Sequence, residues 1–522
     1  MPQQLPPGMN AGDFDKALNE IRKIVGDDAV YTGEGDALAP YLDHMSAVPP
    51  EHRTPSAAIT PSEVAEIQGV LKVANKYKLP LWTYGNGKNF AYGGPAPLQA
   101  GYLMLDLKRM NRILEVDEEF GTCLVEPGVS YFQLHQHLRD IGSKLWIDCA
   151  APGWGGVIGN ALEHGAGYTP YADHFVMSCG MEVMLADGSL VRTGMGAMPK
   201  STAWQLFKYG YGPHYDGMFT QGNFGIVTKM GFWLMHEPPA YKPFMFSFEN
   251  EEDLAAIMEI ARPLKLNFVI PNGLVCEHIS YSVAVQKSRS EIWDKPEPVP
   301  LERWKEVAKE MDLGMWNMYG ALYGTPENVE MTWQLVQATL GSIPGAKAYL
   351  QGDRDGDIGF DYRVKLMRGE PNMTEFNMVN WDGGGHLNFT PISPMSGPNA
   401  MKMFQVLRDV CEKHGFDYIS ESVATFRGMI SLVMVMFDPR DEETRKRADA
   451  CGRDIILTAA KHGWGELKAN LAYMDLVAET YNGTDNGVWK CNQLIKDALD
   501  PNGILSPGKS GIWPSSWNGP RA

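Results

Sequence analysis

The stretch Thr83-Tyr84-Gly85-Asn86-Gly87-Lys88-Asn89-Phe90-Ala91-Tyr92-Gly93-Gly94 follows a short apolar strand predicted over residues 79–82. Its four glycines allow backbone N–H groups to point into one concavity, and such nests bind phosphate oxygens. Asn86, Lys88 and Asn89 add hydrogen-bond donors and a positive charge that suit a pyrophosphate. A phosphate has no need of a phenol, so Tyr92 requires another explanation. The loop predicts a nucleotide-cofactor site that also brings a tyrosine toward the chemistry.

Composition restricts the class of protein. A chain of 522 residues is too long for one core, and its 44% apolar residues suffice for two packed domains. The net charge of −17 argues against nucleic-acid binding, which requires a basic surface. Seven scattered cysteines and an N-terminus without a signal-peptide pattern predict a cytoplasmic protein with reduced thiols. Because no apolar run reaches membrane-spanning length, we expect no membrane association.

Helix and strand patterns alternate along the first half of the chain and change near residue 240. An amphipathic helix is predicted over 13–25, Ser62 is predicted to cap a second helix, and a third begins near Ser130. The charged, proline-rich segment 286–304 is predicted to be a solvated loop. Longer helices are predicted over 251–264, 326–340 and 398–414. These patterns predict an α/β or α+β fold.

The change in helix and strand pattern near residue 240 also predicts the domain boundaries. Residues 236–240 read as a linker, so residues 1–240 are predicted to form one domain and residues 241–474 a second. The glycine-rich end of the chain resembles the first half in composition. Residues 475–522 are therefore predicted to return to the first domain.

Three short patterns bear on other functions, namely an ATP site, a nicotinamide site and a metal site, and their sequence context argues against each. Gly503-x-x-x-x-Gly508-Lys509-Ser510 matches the Walker A pattern, but the dozen residues after it are too rich in glycine and proline for the helix that such a loop needs. No Gly-x-Gly-x-x-Gly opens a helix after a strand, which argues against a nicotinamide site. His135 and His137 lie two residues apart on a predicted helix and do not share a face, so we predict no metal site.

Two further residues have both an ordinary and a functional interpretation. His386 follows three glycines, which allow a bulky group to approach the backbone, although an isolated histidine is more often a partly buried structural residue. Arg363, in Asp361-Tyr362-Arg363-Val364-Lys365, is predicted from the sequence alone to be a solvated charge.

With these motifs in place, the chain resembles the vanillyl-alcohol oxidase / p-cresol methylhydroxylase family of FAD enzymes over essentially its whole length. The resemblance is carried by the glycine-rich loop 87–94 and by five further stretches. These are 159–160 with 167–174, Arg192-Thr193-Gly194-Met195-Gly196-Ala197, Asp216-Gly217-Met218-Phe219-Thr220-Gln221, His386-Leu387-Asn388-Phe389-Thr390-Pro391, and 500–513.

The family implies an α+β fold, with a two-subdomain FAD-binding domain and a cap domain whose antiparallel sheet, covered by helices, lies over the flavin. The glycine-rich loop and the Gly153–Asn160 region would hold the pyrophosphate and adenosine, and the Walker-like tail would close the flavin domain. The implied cofactor contacts are Tyr84, Gly85, Asn86, Gly87, Lys88, Asn89, Gly153, Gly156, Gly159, Asn160, Gly167, Tyr168, Thr169, Tyr171, Gly225, Ile226, Val227, Arg363, His386 and Lys509.

The resemblance assigns particular chemistry to two of these residues. His386 matches the histidine that is bonded covalently to the flavin 8α-methyl carbon in the histidyl members. The tyrosine that makes this bond in the methylhydroxylase appears to be Val379 here. Arg363 matches an arginine near the flavin N1/C2 carbonyl, where a fixed cation stabilises the negative charge that develops on reduction.

Family members oxidise the benzylic carbon of para-substituted phenols by hydride transfer to flavin N5, through a quinone methide. An unperturbed phenol has a pKa of about 10, so the site must favour its anion. Tyr92 matches one of the phenolic donors that do this. The other usual partners, a Tyr-Arg pair, are replaced by Leu467 and Lys468, and the aspartate beside N5 is replaced by Ala151. Lys468 supplies a charge without the arginine fork, and Glu421 is a polar residue of the pocket.

The resemblance therefore predicts a small aromatic substrate and a homodimer or dimer-based oligomer. A histidyl link favours an oxidase that reduces O2 to hydrogen peroxide. Ala150 stands where the oxidases have proline and the methylhydroxylase has alanine, which favours a dehydrogenase that passes electrons to a carrier protein. A same-fold flavoenzyme acting on a non-phenolic substrate is the remaining alternative.

Overall fold

The computed structural model describes residues 4–33, 36–519 and 521. The first sheet has the strand order β1-β2-β4-β3, with β2, β4 and β3 parallel. Its strands are β1 (Val30–Thr32), β2 (Ala57–Ile59), β3 (Leu81–Tyr84) and β4 (Leu103–Asp106). Every residue of β2 and β4 is buried, as expected of parallel strands covered on both faces. The glycine-rich loop leaves this sheet from the end of β3.

A second sheet of five antiparallel strands, in the order β5-β6-β10-β8-β9, packs beside the first. β7 and β11 form a separate two-stranded antiparallel sheet. These strands are β5 (Ile113–Asp117), β6 (Thr122–Val125), β7 (Leu145–Trp146), β8 (Ser178–Met184), β9 (Leu190–Arg192), β10 (Ile226–Trp233) and β11 (Met235–His236).

The helices of this half are α1 (Ala11–Val25), α2 (Val64–Tyr77), α3 (Tyr131–Asp140) and α4 (Val157–Leu162). The predicted start of α3 is confirmed: Ser130 caps it, and Gln133 completes a capping box. The predicted cap of α2 is wrong. Glu63 occupies the N-cap, and Ser62 instead donates its backbone N–H and its hydroxyl to the Glu66 carboxylate.

A nine-stranded antiparallel sheet dominates the middle of the chain. Its path is β15-β12-β14-β13-β18-β19-β17-β20, and β16 also pairs with β19. The strands are β12 (Ala240–Phe248), β13 (Leu274–His278), β14 (Trp316–Gly324), β15 (Lys347–Leu350), β16 (Gly385–Phe389), β17 (Pro391–Pro394), β18 (Ile419–Ala424), β19 (Gly428–Phe437) and β20 (Gly465–Glu466).

Helices cover this sheet, including the three longer ones predicted from the sequence. They are α5 (Asp253–Leu266), α6 (Ile279–Ala284), α7 (Arg289–Ile292), α8 (Leu301–Glu310), α9 (Pro326–Leu340), α10 (Ile358–Leu366), α11 (Gly397–Lys413) and α12 (Glu442–Lys461). The prediction of a solvated loop over 286–304 is wrong in part. It contains α7 and the start of α8, because Ile292, Val299 and Trp304 are apolar anchors buried in the core.

The end of the chain returns to the first sheet through α13 (Met474–Thr480) and α14 (Gly483–Leu499). Leu505 forms a parallel bridge with Leu81 of β3, which places the tail beside the glycine-rich loop. Fully buried Lys496 fixes this return: its Nζ lies 2.7 Å from Asp500 Oδ2 and donates to the Leu505 carbonyl at 2.6 Å. Within the described residues, the Walker-like segment continues into one 3₁₀ turn (Lys509–Gly511) and an irregular tail.

The fold is thus α+β, with antiparallel sheets covered by helices. Of the helices in the described residues, none has the length and apolar character needed to cross a membrane.

Candidate active site

The glycine-rich loop turns sharply because its glycines stand where other residues do not fit. A Cβ on Gly85 would lie 2.3 Å from the Pro127 carbonyl oxygen, so the loop backbone runs directly against the neighbouring chain. Gly87 has φ +67°, a conformation that side chains disfavour. The loop then closes with a 3₁₀ turn over Phe90–Tyr92. One close backbone approach and one positive φ therefore shape the loop that leads to Tyr92.

An elongated cavity runs along this loop, α4 and the C-terminal tail. The predicted cofactor residues that line it are Tyr84, Gly85, Asn86, Gly87, Lys88, Asn89, Gly156, Gly159, Asn160, Gly225, Ile226, Val227 and Lys509. Asn86 donates its amide to the Trp154 carbonyl at 3.0 Å, which ties the first glycine-rich stretch to the second. The two stretches that are distant in sequence thus form one cradle of backbone and amide groups.

A second cavity lies under the nine-stranded sheet. It adjoins the first, since both are lined by Lys88, Asn89, Tyr92, Gly155, Asn160 and Lys468. Its wall is largely apolar and includes Val275, Phe376, Met378, Val423, Ile430, Leu432, Met434 and Leu467. Polar side chains line the rest of it, among them Glu375, His386, Asn388, Thr390, Glu421 and Lys468. A pocket that combines apolar walls with convergent polar groups suits a small aromatic molecule.

His386 lies on β16, with its imidazole buried in the wall of the second cavity. Its backbone N–H donates to the Met45 carbonyl at 3.0 Å. Neither ring nitrogen has a hydrogen-bond partner among the described residues. Burial lowers the pKa of His386 to about 4, and the neighbouring Asn388 side chain opposes this only in part. The imidazole is therefore neutral at pH 7 and keeps a free lone pair, as a nitrogen that bonds to carbon requires.

Arg363 is not the solvated charge predicted from the sequence alone. It lies on α10 and is 0% exposed. Its Nη2 lies 2.6 Å from Glu277 Oε1 and 2.7 Å from Glu421 Oε2, and its Nη1 lies 3.3 Å from Glu375 Oε2. The aromatic rings of four tyrosines surround the guanidinium: Tyr168, Tyr281, Tyr319 and Tyr362. Arg363 lines neither cavity and acts on the site through Glu421 and Glu375, which do.

Three carboxyl groups around one guanidinium carry an excess of negative charge in a buried site. Burial raises the pKa of Glu421, the charge of Arg363 lowers it, and the nearby Glu375 and Glu277 raise it, which together place it at about 8. Burial also raises the pKa of Glu277. The raised pKa favours the protonated form of Glu421, whose side chain lines the second cavity.

Lys468 is the second cation of the site and lines both cavities. Its Nζ lies 5.8 Å from the centre of the Tyr92 ring. Burial lowers the pKa of Lys468, and the charge of Glu163 opposes this. Burial likewise raises the pKa of Tyr92, so that its hydroxyl stays protonated and remains a donor. Tyr92 and Lys468 thus bring a hydroxyl and an amine together where the two cavities meet.

Three other predicted cofactor residues line neither cavity. Gly153 packs against Phe132 and Pro371, where a Cβ would lie within 2.9 Å of both side chains. Thr169 donates its backbone N–H and its hydroxyl to Asp148, and Tyr171 donates its backbone N–H to Thr169 Oγ1. These residues lie behind the cavity wall, where they hold the turn that carries the cavity residues Gly167 and Tyr168.

Sequence reasoning missed several residues that shape the site. Glu375 and Glu277 reach Arg363 from separate parts of the chain, and no local pattern marks either of them. Glu163 is another residue that the sequence did not mark, and its Oε1 lies 2.5 Å from Nζ of the predicted cofactor residue Lys509. Asn388 and Thr390 belong to a motif already noted, so their place on the cavity wall was open to prediction. No metal-type cluster of His, Cys, Asp or Glu is present in the part of the chain that the structure describes.

Comparison with known proteins identifies the two halves of the chain. Residues 55–194 match the FAD binding domain family, and residues 361–510 match the family of FAD linked oxidases, C-terminal domain. The chain is 40% identical to the flavoprotein subunit of 4-cresol dehydrogenase [hydroxylating] from Pseudomonas putida, over 97% of each chain.

Two solved structures share the whole fold. The structure of p-cresol methylhydroxylase with substrate bound aligns with a TM-score of 0.95 and 40% identity, covering 98% of this chain and 99% of that one. The isoeugenol complex of 4-ethylphenol oxidase from Gulosibacter chungangensis aligns with a TM-score of 0.96 and 37% identity, over the same shares. The orphaned His386 nitrogens and the glycine cradle fit the FAD that the family match implies.

Proposed function

This chain belongs to the vanillyl-alcohol oxidase / p-cresol methylhydroxylase family of FAD-dependent oxidoreductases, and we propose that it oxidises the benzylic carbon of para-substituted phenols or related aromatic alcohols. FAD supplies the two-electron acceptor that takes hydride from carbon. The observation that carries the proposal is the apolar second cavity, because it meets the cofactor cradle where Tyr92 and Lys468 stand together. Two of the similar proteins are named for 4-alkylphenol substrates, 4-cresol and 4-ethylphenol.

We assign the predicted cofactor residues by their position. The loop residues 84–89 with Gly156, Gly159 and Asn160 hold the pyrophosphate and adenosine side of FAD, since they line the elongated cavity. Residues 225–227 and Lys509 complete that cavity, and Gly167 and Tyr168 line the second one. Gly153, Thr169 and Tyr171 support these residues from behind.

His386 is proposed to be bonded covalently to FAD. The support is its neutral imidazole, which is buried in the cavity wall with both ring nitrogens free of hydrogen bonds. Acid precipitation of the purified protein tests this directly, since a covalent flavin gives a yellow pellet. A colourless pellet with yellow supernatant would refute the bond, and the His386→Ala variant is expected to give that result.

The side chains around the second cavity divide the chemistry between them. Tyr92 and Lys468 hold the substrate oxygen and favour its anion, because the Tyr92 hydroxyl donates a hydrogen bond and a lysine ammonium at 468 pairs with the phenolate. Electrons pushed from the phenolate ring toward the benzylic carbon make loss of hydride easier, and a quinone methide results. Glu421, held by Arg363, faces the cavity with an exchangeable proton for the steps that follow.

The decisive experiment is anaerobic mixing of the holoenzyme with a panel of aromatic compounds. Para-alkylphenols are expected to bleach the flavin absorbance near 450 nm, whereas simple sugars are not. Bleaching by sugars but not by any phenol would refute the proposal and favour the non-phenolic alternative.

The same sample also tests which molecule accepts the electrons from the reduced flavin. We propose O2 as the acceptor. An electron-carrier protein is the alternative, because one relative is named as a dehydrogenase subunit and another as an oxidase. Re-admission of air is expected to restore the absorbance within seconds and to form hydrogen peroxide. Recovery over many minutes would favour the carrier protein.

We further propose residues 1–240 with 475–522 as the FAD-binding domain and residues 241–474 as the cap. The nine-stranded sheet, whose strands run from Ala240 to Glu466, supports this division. The first three residues and residues 34, 35, 520 and 522 lie outside the described structure. The cytoplasmic location and the homodimer predicted from the sequence stay predictions.

A further inference from the structure

We propose that Lys468 is the base that takes the phenol proton, so that the substrate enters as a neutral phenol and is held as a phenolate against a lysine ammonium. The inference rests on the proposed function and extends it from the substrate class to the group that ionises the substrate. The O–H bond of the phenol breaks and an N–H bond forms on Nζ. No electrons are exchanged, and no further reactant is needed.

Lys468 is fixed at the point where the two cavities meet. Its backbone N–H donates to Thr390 Oγ1 at 3.2 Å, and the preceding Leu467 N–H donates to the Thr390 carbonyl at 3.1 Å. The side chain therefore starts from an ordered backbone and reaches a cavity wall shared with Tyr92. A substrate oxygen that contacts the Tyr92 hydroxyl comes within reach of the lysine amine.

No carboxylate neutralises this lysine. Among the ion pairs of the described residues, none includes Lys468. Glu163 acts on it electrostatically, but Glu163 Oε1 already lies 2.5 Å from Lys509 Nζ. Glu466, two residues away, accepts from the Thr390 hydroxyl at 2.7 Å instead. A buried amine without a counter-ion favours its neutral form, which is the form that accepts a proton.

The other titratable groups around Lys468 do not compete for the phenol proton. Burial raises the pKa of Tyr92, so it is already protonated. Burial raises the pKa of Glu466 to about 7, but Glu466 lines neither cavity and so does not meet the substrate. Lys88 and His164 line the same cavity; burial lowers the pKa of His164, and the charge of Lys468 lowers it further. Glu421 has a pKa of about 8 and holds its proton at neutral pH.

The magnitudes make internal transfer reasonable. Ordinary phenol and lysine pKa values differ by less than about one unit, so a proton moves between them at little cost in water. Burial makes the amine a weaker base, and the attraction between the phenolate and the ammonium that form in the site opposes this loss. An arginine has no such role, because its guanidinium does not give up its proton in proteins.

Binding of 4-chlorophenol to the holoenzyme at pH 7 tests the inference without turnover, because this phenol has no benzylic carbon. Ultraviolet difference spectra report the phenolate, and calorimetry in two buffers of different ionisation enthalpy reports protons released. We expect a phenolate band with no proton released. A phenolate band with one proton released per site would show that Lys468 is charged beforehand and would overturn the inference. Absence of the phenolate band would overturn it as well.

Two variants sharpen the result. Lys468→Arg keeps a permanent charge, so it is expected to give a phenolate band with one proton released, and zero release from this variant would assign the proton to another group. Lys468→Met is expected to bind without a phenolate band. A holoenzyme that is bleached by 4-alkylphenols but releases a proton refutes only this inference. Failure both to bind 4-chlorophenol and to be bleached refutes the proposed function with it.

Discussion

Arg363 and Lys468 are two cations of one site with opposite surroundings, the first fully buried and the second half-buried at the cavity. Three carboxyl groups and four aromatic rings enclose Arg363, whereas Lys468 has no ion-pair partner in the described chain and faces the cavity. An arginine enclosed in this way has a structural role. The other two carboxylates around it raise the pKa of Glu421 and favour its protonated form. A lysine without a partner is available to a ligand. One cation therefore stabilises the cavity wall, and the other acts on what enters it.

Removing Arg363 is expected to have the largest effect. In Arg363→Met, the buried Glu277 and Glu421 and the half-buried Glu375 lose their shared cation, and breaking a buried ion pair from one side costs about 3–5 kcal/mol. Urea or thermal unfolding measures the change. The matched control is Lys468→Met, which removes a half-buried cation that has no partner and is expected to leave the free energy of unfolding unchanged or slightly increased. Equal destabilisation by both variants would contradict the distinction between the two cations.

The reverse order is expected for catalysis. At pH 7 only about one phenol in a thousand with a pKa near 10 is ionised in solution. Loss of the group that ionises it in the site is expected to lower the rate of anaerobic flavin bleaching in Lys468→Met by about 100- to 1,000-fold. Lys468→Arg restores the charge and serves as the control, with partial recovery that increases with pH. A Lys468→Met rate within threefold of the parent would show that the lysine is not involved.

The pH dependence of stability sharpens the comparison on the Arg363 side. Because the pKa of Glu421 is raised to about 8 in the folded chain, that state holds an extra proton between about pH 4.5 and 8. Stability is then lost as the pH rises through this window, by at most about 1.4 kcal/mol per pH unit. Glu421→Gln removes this contribution, so unfolding midpoints measured from pH 5 to 8 should change less steeply than in the parent. Identical slopes would contradict the assignment.

The smallest effect is expected at Glu163. Its charge opposes the lowering of the Lys468 pKa, so Glu163→Gln should lower that pKa further. In a plot of bleaching rate against pH, the transition that reports the ionisation of Lys468 should move to lower pH. The expected shift is about one pH unit or less, because Lys509 already pairs with the Glu163 carboxylate. Lys509→Met is the matched control, and it should move the transition in the opposite direction. A shift of the same sign in both variants would contradict the account.

The same contrast explains what the sequence predicts and what it does not. Short sequence patterns predict the cofactor cradle, because Gly85 and Gly87 permit the turn of the loop and a capping box starts α3. His386 also had a local signal in the three glycines before it. The Arg363 cluster has none, since its glutamates come from β13, from a turn near residue 375 and from β18. Their meeting depends on the order of strands in the large sheet, which no short pattern specifies.

Stabilisation of a phenolate at Tyr92 and Lys468 is the step on which the proposed oxidation of phenols depends. It is tested by anaerobic flavin bleaching of the holoenzyme at pH 7 with a 4-alkylphenol and with its O-methyl ether. The ether has a similar shape and no ionisable proton. We expect the phenol to bleach the flavin at least about 100-fold faster than the ether. Equal rates for the two compounds would contradict it.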